Sequence, residues 1–261
     1  MTLTNPRTCN TCPPAGRARV SEAWPLVLGL TLLGGIAHAE DVGRFSPGNG
    51  EPPAPWLLQR LNESVAPTRY VHRVWDGVAA IEAHADASMA LLVRPLAIDL
   101  ARTPVLCWRW RVDAPLLKAD LTRKTGDDYA ARVYVSFTLK PAALDWATRA
   151  KLRIGRALFG PLLPDAALNY VWDNRHPVGT RAPNAYTERT RMIVARSGAA
   201  DAGRWVEERH DVLADAIREF GPHIEATAQL ALASDTDNTG ESAHAGFADL
   251  HFVARDEACQ F

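Results

Sequence analysis

The chain has few cysteines, no long hydrophobic run and almost no net charge. It contains four cysteines in 261 residues, and its formal net charge is −1 at pH 7. A protein without a basic surplus has no long-range field that draws it onto nucleic acid, so we expect no nucleic-acid partner. The apolar run at residues 24–37 is shorter than the roughly 20 residues that a membrane-spanning helix needs. We therefore expect no membrane span in the mature protein.

Several familiar catalytic motifs are also missing from the sequence. It has no G-x-S-x-G nucleophile elbow, no H-E-x-x-H zinc helix and no glycine-rich phosphate loop. The histidines beyond the first forty residues, at positions 72, 84, 176, 210, 223, 244 and 251, do not have the spacing of metal ligands. These absences favour a binding protein over an enzyme.

The first 39 residues have the layout of a secretory signal peptide. Arg7, Arg17 and Arg19 precede the apolar run at 24–37, and Ala37-His38-Ala39 offers small residues at a cleavage site. The alternative is an uncleaved membrane anchor. The pattern predicts a mature protein that begins at Glu40 and is periplasmic or secreted.

Cleavage would leave two of the four cysteines in the mature chain. Cys9 and Cys12 lie in the predicted signal peptide, whereas Cys107 and Cys259 remain. An oxidising compartment permits a disulfide between the remaining two. The sequence leaves open whether they are bonded or are two free thiols.

The mature chain is predicted to be a flexible arm followed by one domain. Residues 40–55 are rich in glycine and proline, which is typical of a loose segment, and we assign 56–261 to a single domain. Asp76-Gly77 separates two alternating runs at 68–75 and 78–85. This pair of residues between alternating runs is a strong signal for a β-hairpin.

Strand patterns dominate the rest of the domain. Residues 105–113 and 129–139 alternate between apolar and polar positions. Further strands are expected at 89–94, 168–172, 189–196, 204–210, 224–234 and 246–253, and helices at 144–159 and 211–220. The pattern predicts an all-β fold, an antiparallel β-sandwich of jelly-roll type with one or two peripheral helices.

The first candidate ligand site combines acidic, basic and phenolic side chains. Asp127 and Asp128 lead into a strand on which Arg132 and Tyr134 share the polar face with Asp128. If the strand at 105–113 were its neighbour, Arg109 and Arg111 would join that face. The alternative is a solvated sheet face with cross-strand ion pairs.

A second set of ligand contacts is aromatic. Tyr170 and Trp172 point to the same side of one predicted strand. On an exposed face they could stack on the apolar side of a sugar ring, and in a buried position they would be ordinary core residues.

A cation site is suggested by the acidic turn at 234–240. Asp235, Asp237 and Asn238 resemble the first half of a calcium-binding loop, and Asp249 on the next strand could add a ligand. A complete EF-hand is excluded because Gly246 occupies the position of its bidentate glutamate. The alternative is a hairpin turn held by hydrogen bonds from its side chains to the backbone. A structural calcium ion is the cofactor that this turn suggests.

Four motifs together resemble an exported bacterial family called domain of unknown function 3047. They are WRWRVD, GDDYAARVYVSF, NYVWDN and SDTDNTG, in that order along the chain. The resemblance covers residues 56–252 and implies no particular activity. The closing AGFADLHF strand is also similar to those of galactose-binding-like jelly rolls, which implies a fold that frequently binds glycans and often holds a structural calcium.

We therefore expect an exported, non-catalytic protein that binds a carbohydrate or another component of the cell envelope. One alternative is a polysaccharide hydrolase or lyase in which Asp127 or Asp128 pairs with Asp235 or Asp237 as acid and base. Another is a structural envelope domain that binds a partner protein. The sequence leaves the oligomeric state open.

Overall fold

A computed structural model describes residues 39–159 and 163–261 and shows a mostly β architecture. The predicted signal peptide lies outside these residues, apart from Ala39. In the described part of the chain, no helix is long and apolar enough to cross a membrane. The elements are β1 (Glu40–Gly43), β2 (Leu57–Gln59), β3 (Arg69–Trp75), β4 (Val78–Asp86), β5 (Leu91–Pro95), β6 (Val105–Val112), β7 (Tyr129–Leu139), α1 (Trp146–Phe159), β8 (Ala166–Asp173), β9 (Arg181–Pro183), β10 (Thr190–Ser197), β11 (Val206–Asp211), α2 (Val212–Phe220), β12 (Ile224–Asp235) and β13 (Ser242–Val253).

The strands form two sheets. Sheet 1 has the order β11-β6-β13-β4-β3, and β1 also pairs with β13. Sheet 2 has the order β2-β5-β12-β7-β8-β10-β9. The strand pairs in these sheets are antiparallel except β8 with β10, which run parallel. The prediction of an antiparallel β-sandwich is therefore confirmed.

Aromatic side chains fill the space between the two sheets. Trp108 and Trp110 of β6 are fully buried and face Tyr170 and Trp172 of β8. The ring centroids of Trp108 and Tyr170 are 5.5 Å apart, and those of Trp110 and Trp172 are 5.7 Å apart. Large buried aromatic rings supply much of the apolar area that drives folding. The alternation predicted for the β6 strand thus places its apolar face in the core.

The predicted hairpin is confirmed at Asp76-Gly77. Trp75 pairs with Val78 across the turn, and Asp76 and Gly77 both have positive φ angles, 50° and 81°. Two consecutive left-handed residues match the turn type whose twist suits a two-residue hairpin, and Asp-Gly adopts it readily.

Residues 40–43 differ from the expectation of a loose arm, because they form β1. Glu40 pairs with Phe252 and Asp41 with His251. Strand β4 pairs with β13 only as far as Phe247, so β1 continues on the side that β4 leaves free. A strand of four residues is too short to show a periodic pattern of side chains, so the sequence did not predict β1.

The two predicted helices are present at the periphery. Asp145 precedes α1 and its side chain accepts a hydrogen bond from the backbone N–H of Thr148 at 2.7 Å. Asp211 caps α2 by accepting from the N–H of Ala214 at 2.8 Å. Such caps satisfy donors that a helix start leaves unpaired.

The question that the sequence left open about the cysteines has a structural answer. Cys107 and Cys259 form a disulfide with their Cα atoms 5.8 Å apart, across a sequence separation of 152 residues. The bond attaches the end of the chain to β6, near the middle of sheet 1.

We predict that replacing Cys107 and Cys259 with alanine lowers the free energy of unfolding by roughly 4–5 kcal/mol, because the bond closes a very long loop in the unfolded chain. Denaturant unfolding of the oxidised protein and the double variant measures this difference. Reductant should destabilise the wild type and leave the double variant unchanged. Equal midpoints for the oxidised wild type and the double variant would contradict the prediction.

Candidate functional site

The two aromatic residues predicted to contact a ligand belong to the core. Tyr170 and Trp172 are fully buried, and their rings pack against the tryptophans of β6. Neither ring can stack on a sugar in this structure, which corrects that part of the prediction. Strand β8 is buried along its whole length, so its alternation did not distinguish an exposed face from a buried one.

Arg132 lies at the centre of a buried polar cluster on the other side of β7 from the core. Its Nε donates to Asp235 Oδ1 at 2.8 Å, and a terminal nitrogen donates to the Tyr134 hydroxyl at 2.9 Å. A second terminal nitrogen contacts Asp127 through both the carboxylate and the backbone carbonyl. The guanidinium also lies over the Tyr129 ring, 4.5 Å from its centroid. Because other protein groups contact its guanidinium on every side, Arg132 stabilises the fold and is not available to bind a ligand.

Asp128 is fully buried and accepts hydrogen bonds from the acidic turn. Its two carboxylate oxygens accept from the Asn238 side-chain amide at 3.0 Å and from the Thr239 N–H at 2.6 Å. The side-chain oxygen of Asn238 accepts from the Tyr186 hydroxyl at 2.7 Å. Asp128 and Asn238, predicted for separate ligand and metal sites, therefore stabilise one turn.

We call Asp127, Asp128, Asp235 and Asp237 the acidic cluster. Their four carboxylates outnumber the one guanidinium group, that of Arg132, with which Asp127 and Asp235 pair. The carboxylates of Asp128, Asp235 and Asp237 have oxygens within 4.8 Å of one another. Burial and the neighbouring carboxylates raise the pKa of Asp235 to about 8, although Arg132 opposes the shift. Three close oxygen donors are chemically suited to a hard cation such as Ca²⁺.

Asp249 does not belong to the acidic cluster, which corrects its assignment as a cation ligand. Its carboxylate pairs with Arg109 of β6. Arg109 and Arg111 also do not join the polar face of Arg132, because β6 lies in sheet 1 and β7 in sheet 2. Adjacency of strands depends on topology, which the alternation in each strand does not encode.

A separate surface on sheet 1 has the form of a binding site. Two open grooves, of about 880 and 610 Å³, lie side by side and share Arg69 and His84 as lining residues. Arg73 and Glu82 line the smaller groove, and Asp113 and His244 line the larger one. We call this surface the trough. It lies on the side of β3, β4 and β13 that faces away from the core.

Two histidines of the trough belong to a stack of three rings. The His244 ring lies between Trp75 and His84, with centroids 4.4 Å from each and interplanar angles of 17° and 16°. His84 and His244 are directly opposite each other on β4 and β13. Cross-strand neighbours of this kind are close enough for their side chains to interact strongly.

Gly246 lets the aromatic side chains lie flat on sheet 1. A Cβ atom at this position would come within 2.8 Å of the Trp205 ring and 3.0 Å of the Trp75 ring. The Trp205 indole N–H donates to the Trp75 carbonyl at 3.1 Å, and the Arg111 guanidinium lies 4.0 Å from the Trp75 ring centroid. The trough therefore has a rigid base.

Glu82 is the buried acid of the trough. Its side chain is 4% exposed, and it contacts His244 at 2.5 Å and Arg73 at 3.1 Å. Burial favours the neutral carboxyl, but these partners outweigh it and lower the pKa of Glu82. Burial, with help from His244 and Arg69, lowers the pKa of His84 and favours its neutral imidazole.

The sequence analysis missed the trough. Its members come from β3, β4, β13 and the segment that follows β6, and a pattern along one strand does not show which strands are neighbours. One local signal was available: Glu82 and His84 lie two apart on a predicted strand, so they share a face. His244, distant in sequence, reaches them through strand pairing.

We predict that Arg132→Met lowers the free energy of unfolding by about 3–5 kcal/mol, because it leaves buried carboxylates without their cation. Denaturant unfolding of this variant measures the effect. Arg149→Met, at an exposed position on α1, is the matched control and should change stability by less than about 0.5 kcal/mol. A loss of similar size in both variants would contradict the structural role of Arg132.

The calcium assignment stays a prediction for Asp235 and Asp237, with Asp128 in place of Asp249. Ca²⁺ at about 100 times its Kd should stabilise the protein by about 2.7 kcal/mol. Thermal unfolding with calcium and with chelator measures the shift. Asp237→Asn should remove the shift and Asp249→Asn should keep it. An unchanged melting temperature in calcium would contradict the assignment.

Comparisons with known proteins give a family and a general resemblance in fold. The chain is similar to the family 11 carbohydrate-binding module of the cellulosomal cellulase Lic26A-Cel5E of Clostridium thermocellum, with 6% identity, a TM-score of 0.41, and coverage of 85% of this chain and 98% of that chain. It is also similar to the family 30 carbohydrate-binding module of the cellulosomal cellulase Cel9D-Cel44B of the same organism, with 8% identity, a TM-score of 0.37, and coverage of 84% and 94%. At these TM-scores the similarities carry no argument about function.

No curated protein sequence matches the chain. The family model described as "Protein of unknown function (DUF3047)" matches residues 54–251, which is most of the chain. The resemblance noted in the sequence motifs is therefore confirmed, and the chain belongs to the DUF3047 family.

Proposed function

We propose that this protein is a non-catalytic carbohydrate-binding protein that holds a glycan chain in the trough. The observation that carries the proposal is that two grooves lie side by side and share Arg69 and His84 as lining residues. An open, elongated depression across several strands can accept a polymer without enclosing its ends.

The chemistry of the trough suits sugar hydroxyl groups. Guanidinium groups supply donors, carboxylates supply acceptors, and the ring of His84 offers a flat surface. Arg69 has no hydrogen-bond or ion-pair partner among the described residues, so its donors are free for a ligand. Charges of both signs line the trough, which favours a neutral glycan over a strongly charged one.

The side chains of the trough are largely pre-organised. His244 is held between two rings, and Glu82 is fixed by Arg73 and His244. Ordering these groups before a ligand arrives reduces the entropy that binding would otherwise cost.

We also propose that the protein acts in the periplasm or outside the cell. The predicted signal peptide motivates this location. The disulfide between Cys107 and Cys259 supports it, because such bonds persist in oxidising compartments.

The hydrolase alternative requires two carboxylates that reach a sugar chain. Each pair named for this alternative needs Asp127 or Asp128, and both are buried and accept hydrogen bonds from the protein itself. A polymer cannot contact them without displacing the turn that covers Asp128. Their burial favours the non-catalytic function.

The test is binding of the purified protein to a panel of soluble neutral and acidic polysaccharides, followed by Arg69→Ala. Loss of the unpaired guanidinium should weaken binding of the recognised glycan by about 3- to 10-fold, since each hydrogen bond contributes about 0.5–1.5 kcal/mol. Arg102→Ala, at another exposed position outside the trough, is the matched control and should bind like the wild type.

Two results would contradict the proposal. The first is the absence of binding across the panel, which would favour the alternative of a protein partner in the envelope. The second is glycan binding that Arg69→Ala leaves unchanged, which would place the binding surface elsewhere on the molecule.

A further inference from the structure

We propose that Glu82, His84 and His244 form a binding site for a divalent transition-metal ion, for which Zn²⁺ is the best chemical fit. These residues meet in the trough because Glu82 and His84 share one face of β4 and His244 of β13 pairs with His84. The proposal concerns metal binding alone, so it stands whether or not a glycan binds nearby.

The three side chains present their donor atoms to one point. One oxygen of Glu82 and one ring nitrogen from each histidine lie within 4.8 Å of one another. Glu82 Oε1 is 2.5 Å from His244 Nε2 and 3.4 Å from His84 Nε2. Because the His84 and His244 rings are stacked with an interplanar angle of 16°, both rings must turn out of the stack before their in-plane lone pairs meet at one ion.

The contacts of the His244 ring are compatible with metal coordination. Its Nδ1 lies 2.7 Å from Asp113 Oδ2, and its Nε2 lies 2.5 Å from Glu82 Oε1. A neutral imidazole carries one N–H and can donate to only one carboxylate. Metal coordination through Nε2 would keep that one proton on Nδ1, where it can donate to Asp113.

Asp113 then has the role of a positioning residue. Metal-binding histidines usually donate their second ring nitrogen to a carboxylate or carbonyl, which sets the tautomer and the ring orientation. The Asp113–His244 contact has this arrangement.

Arg73 is compatible with this site because it favours the other oxygen of Glu82. Its guanidinium is 3.1 Å from Oε2 and 3.3 Å from Oε1. Arg69 lies beside His84, and the Arg111 guanidinium lies 3.9 Å from Asp113, so guanidinium groups offset the charges of Glu82 and Asp113.

The donor set selects the class of metal. Two imidazole nitrogens and one carboxylate oxygen suit Zn²⁺ and related transition ions better than Ca²⁺, which prefers six to eight oxygens. Three protein ligands leave the fourth tetrahedral position open, and His84 and His244 line the trough on that side. Water or a ligand group in the trough would complete the coordination.

The test is a zinc titration of the tag-free, full-length protein after treatment with chelator, followed by calorimetry. We expect one ion to bind with a micromolar or lower Kd and to be lost in His84→Ala and in His244→Ala. Asp113→Asn should weaken binding by about 10- to 100-fold, as expected for an outer-shell partner. Metal content after dialysis, measured by mass spectrometry, is the second readout.

Matched controls separate this site from other zinc-binding groups. His223→Ala removes an exposed histidine outside the trough, and Asp237→Asn alters the acidic cluster on sheet 2. Both variants should retain the ion. Near-ultraviolet circular dichroism of each variant checks that it is folded. Absence of zinc binding, or binding that persists in the folded His84→Ala and His244→Ala variants, would overturn the proposal and leave a proton shared between His244 and Glu82.

Discussion

Packing of aromatic rings between the two sheets is the interaction on which the rest of the structure depends. Trp108 and Trp110 on one sheet meet Tyr170 and Trp172 on the other, and this contact sets the register of both strands. A slip of one residue would expose the tryptophans and bury Arg111 in the core. The polar outer faces, including the trough, are therefore placed by the apolar contact behind them.

Strand β13 connects this register to the candidate site, because its outward-facing residues belong to that site. Because it pairs with β4 on one side and β6 on the other, its alternation has consequences for both neighbours. Phe247 points into the core, so His244 and Gly246 point outward. His244 then lies opposite His84, and the missing side chain of Gly246 leaves room for the Trp75 ring. Strand β13 thus supplies the His244 ring and, at Gly246, the space for the Trp75 ring that stacks on it.

The sequence predicted the fold well because fold class depends on local periodicity. Alternation in β6 and β7 and the Asp76-Gly77 pair identified strands and a hairpin that the structure contains. The site depends on contacts between distant segments, such as Glu82 with His244, which are 162 residues apart. Such contacts follow from strand order. Tyr170 illustrates a second limit, because a strand buried on both faces carries no sign of which side meets solvent.

The two polar clusters differ in a way that assigns them different roles. Around Arg132, the charged groups have already lost their water and satisfied one another, so a glycan has little left to gain there. In the trough, the His84 side chain is 34% exposed and Arg69 keeps its donors in water. Groups that are fixed in place and still hydrated can exchange water for a ligand at low cost. Partial exposure on a rigid base, rather than the density of charged residues, therefore distinguishes the binding surface from the structural cluster.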